Sequence, residues 1–126
     1  MIDNYANDGF DVFPASESIL SKAHPLGAAG CFSAPVNMNP AGIHAVFQKW
    51  NTPEGAELQA KADVIRQILQ GVSMIPAMKR VVSDVTGDLE WRVVRPPLVK
   101  LDDDAALKVK AQLYEAGFQM KNYPKL

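Results

Sequence analysis

One glycine-rich stretch decides how this chain is expected to fold: Gly27-Ala28-Ala29-Gly30-Cys31-Phe32-Ser33-Ala34-Pro35-Val36-Asn37. The stretch is small and rich in glycine at its start, is apolar in its middle, and ends in turn-forming residues that continue to Pro40. A short apolar run with such boundaries is typical of a buried strand, with glycine where the backbone lies close to another group. Because helical patterns lie on both sides, the stretch predicts one strand–helix unit of a larger parallel α/β fold.

A second short strand is predicted upstream, at residues 10–13, after the last turns of a helix at residues 2–8. Pro14-Ala15-Ser16 interrupts this strand, and the apolar spacing of residues 17–24 predicts a short helix. The apolar part of the glycine-rich stretch, residues 31–36, predicts the other strand. Two parallel strands do not close a core, because a strand buried on both faces needs further neighbours. The pattern therefore predicts the C-terminal part of a larger α/β domain.

Several helices are predicted downstream from their capping residues and from apolar positions at helical spacing. The typical helix starts are Asn39-Pro40, Thr52-Pro53 and Ser73. The last helix begins at Asp102-Asp103-Asp104, where acids favour the positive end of the helix dipole. The expected buried positions are, helix by helix, Ile43, Val46, Phe47 and Trp50; Leu58, Ala62, Ile65 and Leu69; Ile75, Met78, Val82 and Val85; and Ala106, Val109, Leu113 and Ala116. Residues 119–126 predict a loose polar tail.

The composition bounds the class of protein. The chain has 126 residues, of which 48% are hydrophobic and 21% charged, the balance of one soluble globular domain. Its net charge of -1 offers no basic field, so neither nucleic acid nor an anionic membrane is expected as a partner. The single cysteine, Cys31, excludes an intrachain disulfide. Since no apolar run is long enough to cross a bilayer, and acid stands where a signal peptide carries base, a cytoplasmic location is expected.

The motifs resemble those of a known family in their order and separation. Residues 27–37, followed by Asn39-Pro40, resemble the last barrel strand of the dihydrodipicolinate synthase / N-acetylneuraminate lyase family. Residues 75–79, Ile-Pro-Ala-Met-Lys, are similar to the helix that follows the barrel in that family. Residues 91–98, Trp-Arg-Val-Val-Arg-Pro-Pro-Leu, are similar to its turn before the final helix, and residues 10–17 resemble its seventh strand and the loop after it. The resemblance covers nearly all of the chain.

This resemblance implies a fold and an activity. The fold would be the C-terminal portion of a TIM (β/α)8 barrel, with residues 1–50 as its last βα units and residues 51–126 as a helical C-terminal extension, together one incomplete domain. The family consists of class I pyruvate-type aldolases, usually homotetramers, so a homo-oligomer is expected. They act on 2-oxo acids such as pyruvate through a lysine Schiff base, with a tyrosine as proton relay and no cofactor. Both residues lie upstream of this chain, which would therefore carry no catalytic residue and be inactive alone.

The resemblance also implies substrate contacts at Ala15, Ser16, Glu17 and Phe32. The backbone at Ala15 would approach the substrate, Ser16 and Glu17 would contact its variable part, and the main chain near Phe32 would lie beside the Schiff base. The residues themselves leave Glu17 open, because an acid in the first turn of a helix also stabilises the helix dipole. Ala15 stands where the family often has glycine, and Ser18 where its sialic-acid branch has an acid. Specificity for sialic acid is therefore not expected, and the substrate stays open.

Other reactive residue types are expected to be structural. A Schiff-base lysine must be desolvated, and no lysine lies on a predicted strand, so none is expected to be a nucleophile. His24 and His44 have no acidic or cysteine neighbours at ligand spacing, so no metal site is expected. Cys31 is expected to be a small core residue.

A second function class stays open, that of a non-catalytic interaction module. A half-barrel leaves the edge of the strand at residues 10–13 uncovered, and uncovered strand edges pair with other chains. Such a module would need a partner or a second copy of itself to cover that edge.

Overall fold

The computed structural model describes residues 2–120, which are predominantly helical. The chain divides into two compact units, the N-terminal unit (Met1–Asp63) and the C-terminal unit (Val64–Leu126). The α-helices are α1 (Ile2–Tyr5), α2 (Leu20–Ala23), α3 (Pro40–Lys49), α4 (Pro53–Gln70), α5 (Met74–Thr86) and α6 (Asp103–Glu115). Short 3-10 helices lie at Ala6–Asp8, Glu17–Ile19, His24–Leu26, Ala34–Asn37 and Leu89–Arg92. Within the described residues, no helix has the length and apolar character needed to cross a membrane.

The prediction of two barrel strands is wrong. Residues 2–120 contain one isolated parallel bridge, between Val12 and Ala28, and no strand or sheet. The described chain is therefore not the C-terminal portion of a TIM (β/α)8 barrel that carries its last two strands. Of the predicted tail at residues 119–126, positions 121–126 lie outside the described residues.

The two predicted strand segments do run side by side, but over a very short length. Ala29 N donates to Val12 O at 3.0 Å, and Phe32 N donates to Pro14 O at 2.9 Å. Proline has no N–H to donate, and a lone parallel pair has no further strand on either side to extend the ladder. After the extended residue Ser33, the chain turns into the 3-10 helix Ala34–Asn37, in which a proline at the first turn is well tolerated.

The core of the N-terminal unit forms where α2, α3 and α4 meet. Leu20, Ile43, Val46 and Ala62 are buried in one cluster. Half-buried side chains pack against this cluster, namely Cys31, Val36, Phe47 and Leu58. The predicted inner face of α3 is thus confirmed at Ile43, Val46 and Phe47, whereas Trp50 follows the helix end and is half-buried, and that of the first half of α4 is confirmed at Leu58 and Ala62.

The helix predicted at residues 17–24 is present, but it is irregular and longer. It consists of the 3-10 helix Glu17–Ile19, then α2, then the 3-10 helix His24–Leu26. Pro25, which was expected beyond the end of the helix, lies inside its last 3-10 turn. A 3-10 turn has fewer residues per turn than an α-helix, so the expected apolar spacing is lost at Ile19, which is 45% exposed.

The predicted helix starts are confirmed by their side-chain hydrogen bonds. The Asn39 side chain accepts from Gly42 N at 3.2 Å before α3, and the Thr52 hydroxyl accepts from Gly55 N at 3.2 Å before α4. The carboxylate of Asp102 accepts from Ala105 N at 2.8 Å before α6. Ser73 precedes α5 but makes no capping hydrogen bond with its side chain.

In the C-terminal unit, α5 packs against α6. The predicted inner face of α6 is confirmed at Ala106, Val109 and Leu113, whereas Ala116 follows the helix end and is exposed. On α5 the predicted face is confirmed at Met78, whereas Val82 and Val85 are half-buried, and the buried face extends to one side of the predicted one. Ala77, Met78 and Val81 are buried, and Ile75 is 47% exposed. Both faces of α5 carry apolar residues, so spacing could not distinguish them.

We expect Leu20→Ala to lower the free energy of unfolding by about 2–5 kcal/mol, because it leaves a cavity in the core cluster. Leu20 is 1% exposed, whereas Leu26, six residues on, is 62% exposed. The matched control Leu26→Ala should change the free energy by less than about 0.5 kcal/mol. Urea denaturation followed by circular dichroism measures both. Equal effects of the two substitutions would contradict the assignment of this core.

Candidate functional site

The candidate site is built around Glu17, at the start of an irregular helix. Ser16 is extended and caps the 3-10 helix Glu17–Ile19, since its side chain accepts from Ser18 N at 3.2 Å. The hydroxyl oxygens of Ser16 and Ser18 are 2.8 Å apart. This turn directs the Glu17 side chain inward, where it is only 1% exposed. Glu17 is therefore not a solvated acid at a helix end.

Glu17 lies next to the glycine-rich stretch. The Ser33 hydroxyl donates a hydrogen bond to Glu17 Oε2. The pKa of the Cys31 thiol is raised above its ordinary value, first by burial and then by the negative charge of Glu17. A carboxylate, a hydroxyl and a thiol are thus gathered in one place. Ser33 was missed by the sequence analysis, although the two-residue spacing of Cys31 and Ser33 in an extended segment places both on one side.

Gln59 of α4 holds the segment that carries Glu17. Gln59 is buried, and its Nε2 donates to Glu17 O at 3.1 Å and to Asp63 Oδ1 at 3.0 Å. Its Oε1 accepts from Ser21 N at 3.2 Å. One amide group therefore binds two backbone groups of the irregular helix, and the Glu17 carbonyl also accepts from the Leu20 N–H. No pattern in the sequence singled out Gln59, because a glutamine on a long helix is usually solvent-exposed.

The other predicted site residues lie at the surface. Ala15 is exposed and Ser16 is half-buried. Phe32 is 71% exposed, and its ring contacts Phe13 with a centroid distance of 5.0 Å. The Phe32 N–H to Pro14 carbonyl bond joins the two segments, so the structure brings the four predicted residues onto adjacent segments. The four residues differ in burial: the side chain of Glu17 is buried, whereas Ala15 and Phe32 are exposed.

Gly30 lies where the two segments meet. A Cβ atom at this position would lie 3.1 Å from the ring of Phe13, tighter than ordinary van der Waals contact. The missing side chain thus makes room for Phe13, as the glycine-rich pattern predicted.

The chemistry of these residues is that of binding and positioning. Glu17 and Ser33 offer a fixed negative charge and a hydrogen-bonded hydroxyl. A Schiff-base lysine needs a desolvated setting, whereas Lys22, Lys61 and Lys100 are exposed. Lys79 lies over the ring of Trp91, 5.7 Å from its centroid. Among residues 2–120 no group of three or more His, Cys, Asp or Glu side chains is arranged to hold a metal ion.

Comparison with known proteins gives one informative similarity. A curated protein of Chloroflexus aurantiacus, named an uncharacterized DapA-like lyase, is 28% identical to this chain over 120 residues. The aligned region takes in 93% of this chain but 39% of that protein, so the chain spans well under half of the relative's length. No family model matches the chain. The similarity supports a distant relationship to DapA-like lyases, which agrees in coarse form with the motif resemblance.

We expect alkylation of Cys31 by iodoacetamide to reach half of its maximal rate above pH 9.0, the ordinary pKa of a cysteine thiol. Glu17→Gln removes a negative charge that disfavours the thiolate, so the midpoint should fall. It should stay above 9.0, because burial is the larger cause of the raised pKa. Glu54→Gln, on an exposed ion pair with Lys49, is the matched control and should leave the midpoint unchanged. A midpoint that Glu17→Gln does not move would contradict this contact.

We expect Gln59→Leu to lower the free energy of unfolding by about 1–3 kcal/mol, since it leaves the Glu17 carbonyl and the Ser21 N–H without the amide that binds them. Gln67→Leu, at an exposed position of the same helix, is the control and should change it by less than about 0.5 kcal/mol. Hydrogen exchange of the Ser21 amide provides a local readout, and it should become faster only in Gln59→Leu. Unchanged protection of Ser21 would show that Gln59 does not hold this segment.

Proposed function

We propose that this chain is the C-terminal segment of a DapA-like lyase that acts on pyruvate or a related 2-oxo acid. The lysine that forms the Schiff base and the tyrosine that relays the proton would be supplied by another part of the protein. The observation that carries the proposal is the similarity to the Chloroflexus aurantiacus protein, which extends over 93% of this chain. The order of the motifs at residues 10–17, 27–37, 75–79 and 91–98 supports it.

Within this proposal the site residues have two roles. Ala15 and Phe32 are exposed residues and Ser16 is half-buried, and they would contact the substrate. Glu17 is buried and bound by Ser33, so it would hold the two substrate-facing segments against each other. The substrate would reach a backbone and hydroxyl surface whose position is set by the carboxylate beneath it.

One observation favours the second candidate function, a non-catalytic interaction module. Four aromatic side chains of the N-terminal unit are exposed to water: Tyr5 by 47%, Phe10 by 66%, Phe13 by 41% and Phe32 by 71%. Exposed aromatic residues are enriched at protein–protein interfaces. The two proposals share a requirement for association, and the lyase would be a homo-oligomer, a tetramer in the simplest case.

The two proposals are separated by trapping a Schiff base with borohydride. In the lyase proposal, the 126-residue chain incubated with pyruvate and borohydride gains no mass on any lysine. A longer natural protein containing the chain gains one pyruvate-derived adduct per subunit. An adduct on a lysine of the 126-residue chain would contradict the proposed position of the nucleophile, and no adduct on the longer protein would favour the interaction module.

In the longer protein, Ser16→Ala should lower kcat/KM by about tenfold, the usual loss for one hydrogen bond of about 1.4 kcal/mol, with adduct formation retained. Ser21→Ala, whose backbone rather than side chain binds Gln59, is the matched control and should leave kcat/KM unchanged. Equal kcat/KM for both variants would remove Ser16 from the substrate-contact set.

A further inference from the structure

A cleft in the C-terminal unit carries positively charged groups that the proposed function does not use. Its volume is about 330 Å³, at the small end of the range for small-molecule sites. It lies between α5, the 3-10 helix Leu89–Arg92 and the start of α6. Its lining consists of Pro76, Arg80, Leu89, Arg92, Lys100, Leu101 and Asp103. The cleft therefore combines three cationic side chains with an apolar wall.

Two arginines of the cleft are held in place by one carboxylate. Arg80 Nε donates to both oxygens of Asp84, at 3.1 and 3.2 Å, and Arg92 Nη2 donates to Asp84 Oδ1 at 2.8 Å. Arg92 Nε also donates to the buried Ser83 hydroxyl at 3.0 Å. Two like-charged guanidinium groups thus lie beside a single oxygen atom. Their planes are fixed by these bonds, so a ligand would meet donors that are already oriented.

Each arginine keeps hydrogen-bonding capacity after these contacts are made. Arg80 Nη1 donates to Asp103 Oδ1 at 2.7 Å. Among the described residues, Arg80 Nη2, Arg92 Nη1 and Lys100 Nζ have no acceptor. The Arg80 side chain is 15% exposed and that of Arg92 is 35% exposed, so the two guanidinium groups are partly shielded from water, whereas Lys100 is exposed. A charge-assisted hydrogen bond is stronger in such a setting than at an open surface.

Among the groups that line the cleft or touch its cations, three cations stand against two carboxylates. Asp84 forms ion pairs with Arg80 and Arg92, and Asp103 forms an ion pair with Arg80. Lys100 is the third cation of the lining. The nearby Asp102 accepts the Ala105 N–H and caps α6, and Asp104 is exposed on the same helix. Asp103 is itself 82% exposed, so a competing anion could replace it on Arg80 without opening the core.

We propose that this cleft binds a small organic carboxylate, with the carboxylate on Arg92 and Lys100 and an apolar body against Leu89 and Leu101. Arg92 Nη1 would donate to one carboxylate oxygen and Lys100 Nζ to the other, each in a charge-assisted hydrogen bond. The apolar wall distinguishes an organic acid from an inorganic anion. This binding is independent of the proposed lyase function, because it uses none of the residues assigned to the 2-oxo acid.

Nuclear magnetic resonance titration of the 126-residue chain tests the proposal, with the side-chain Nε–Hε signals of Arg80 and Arg92 as reporters. The probes are benzoate, its neutral analogue benzamide, acetate and inorganic phosphate. Benzoate should shift both signals with saturation, acetate and phosphate should bind at least about fivefold more weakly, and benzamide should cause no shift. An absence of saturable shifts with benzoate would overturn the proposal, and binding of phosphate as tight as that of benzoate would overturn the organic-acid assignment.

Charge-matched variants locate the site. Arg92→Gln should weaken benzoate binding by about tenfold or more, the loss expected for hydrogen bonds to a charged group. Lys100→Gln should weaken benzoate binding by a few fold. This substitution removes no hydrogen bond of the Asp84 network, so the variant remains folded and tests the site even if Arg92→Gln unfolds the protein. Lys108→Gln, an exposed position on α6 with the same charge change, should leave binding unchanged. Equal affinity of the Lys100→Gln and Lys108→Gln variants would overturn the assignment to this cleft.

Discussion

The N-terminal unit depends on how the carboxylate of Glu17 is buried. Removing a carboxylate from water is tolerated where donors replace its lost hydration. The Ser33 hydroxyl is such a donor, and Gln59 binds the backbone carbonyl of the same residue. These contacts join Glu17 to Ser33, which lies 16 positions further along the chain, and to Gln59, which lies 42 positions further along. The glycine-rich stretch, the irregular helix and α4 are therefore held together through one acidic residue.

This arrangement explains why the candidate site has an inner and an outer layer. Ala15 and Phe32 lie at the surface, whereas Glu17 lies directly behind the segments that carry them. A buried, hydrogen-bonded charge tolerates little displacement, because any movement exposes it to an unfavourable environment. Glu17 would therefore affect function by fixing the position of the backbone segments that carry Ala15 and Phe32. The proposed lyase would use this rigidity to hold a 2-oxo acid beside groups that lie elsewhere in the protein.

In the C-terminal unit, a carboxylate holds two cations close together. Asp84 binds both Arg80 and Arg92 and so places two guanidinium groups side by side. The hydrogen bond to Asp103 is the main reason why the pKa of Arg80 is raised above its ordinary value. Arginine is charged throughout the physiological range in any case, so both guanidinium groups of the cleft are permanent cations.

Local chemistry made several features of the fold predictable. Asn39 was identified as a helix cap because its side chain satisfies a backbone N–H group three residues away, and the acids from Asp102 marked the start of α6 because they favour the helix dipole. The inner faces of α3 and α6 followed from helical periodicity. The strands at residues 10–13 and 31–36 were mispredicted because their apolar pattern specifies burial, whereas a ladder requires neighbouring strands that the pattern cannot supply. For α5, periodicity alone could not choose between two apolar faces.

The sequence by itself therefore determined where several helices begin and which residues of α3 and α6 are buried. Only the tertiary structure decided that the Glu17 side chain is inside, that Ser33 and Gln59 bind it or its backbone, and that Arg80 and Arg92 share Asp84. The physical reason is the separation along the chain over which each interaction acts. Capping and periodicity act over one helical turn, whereas the partner of a buried charge is set by packing between segments distant in the chain.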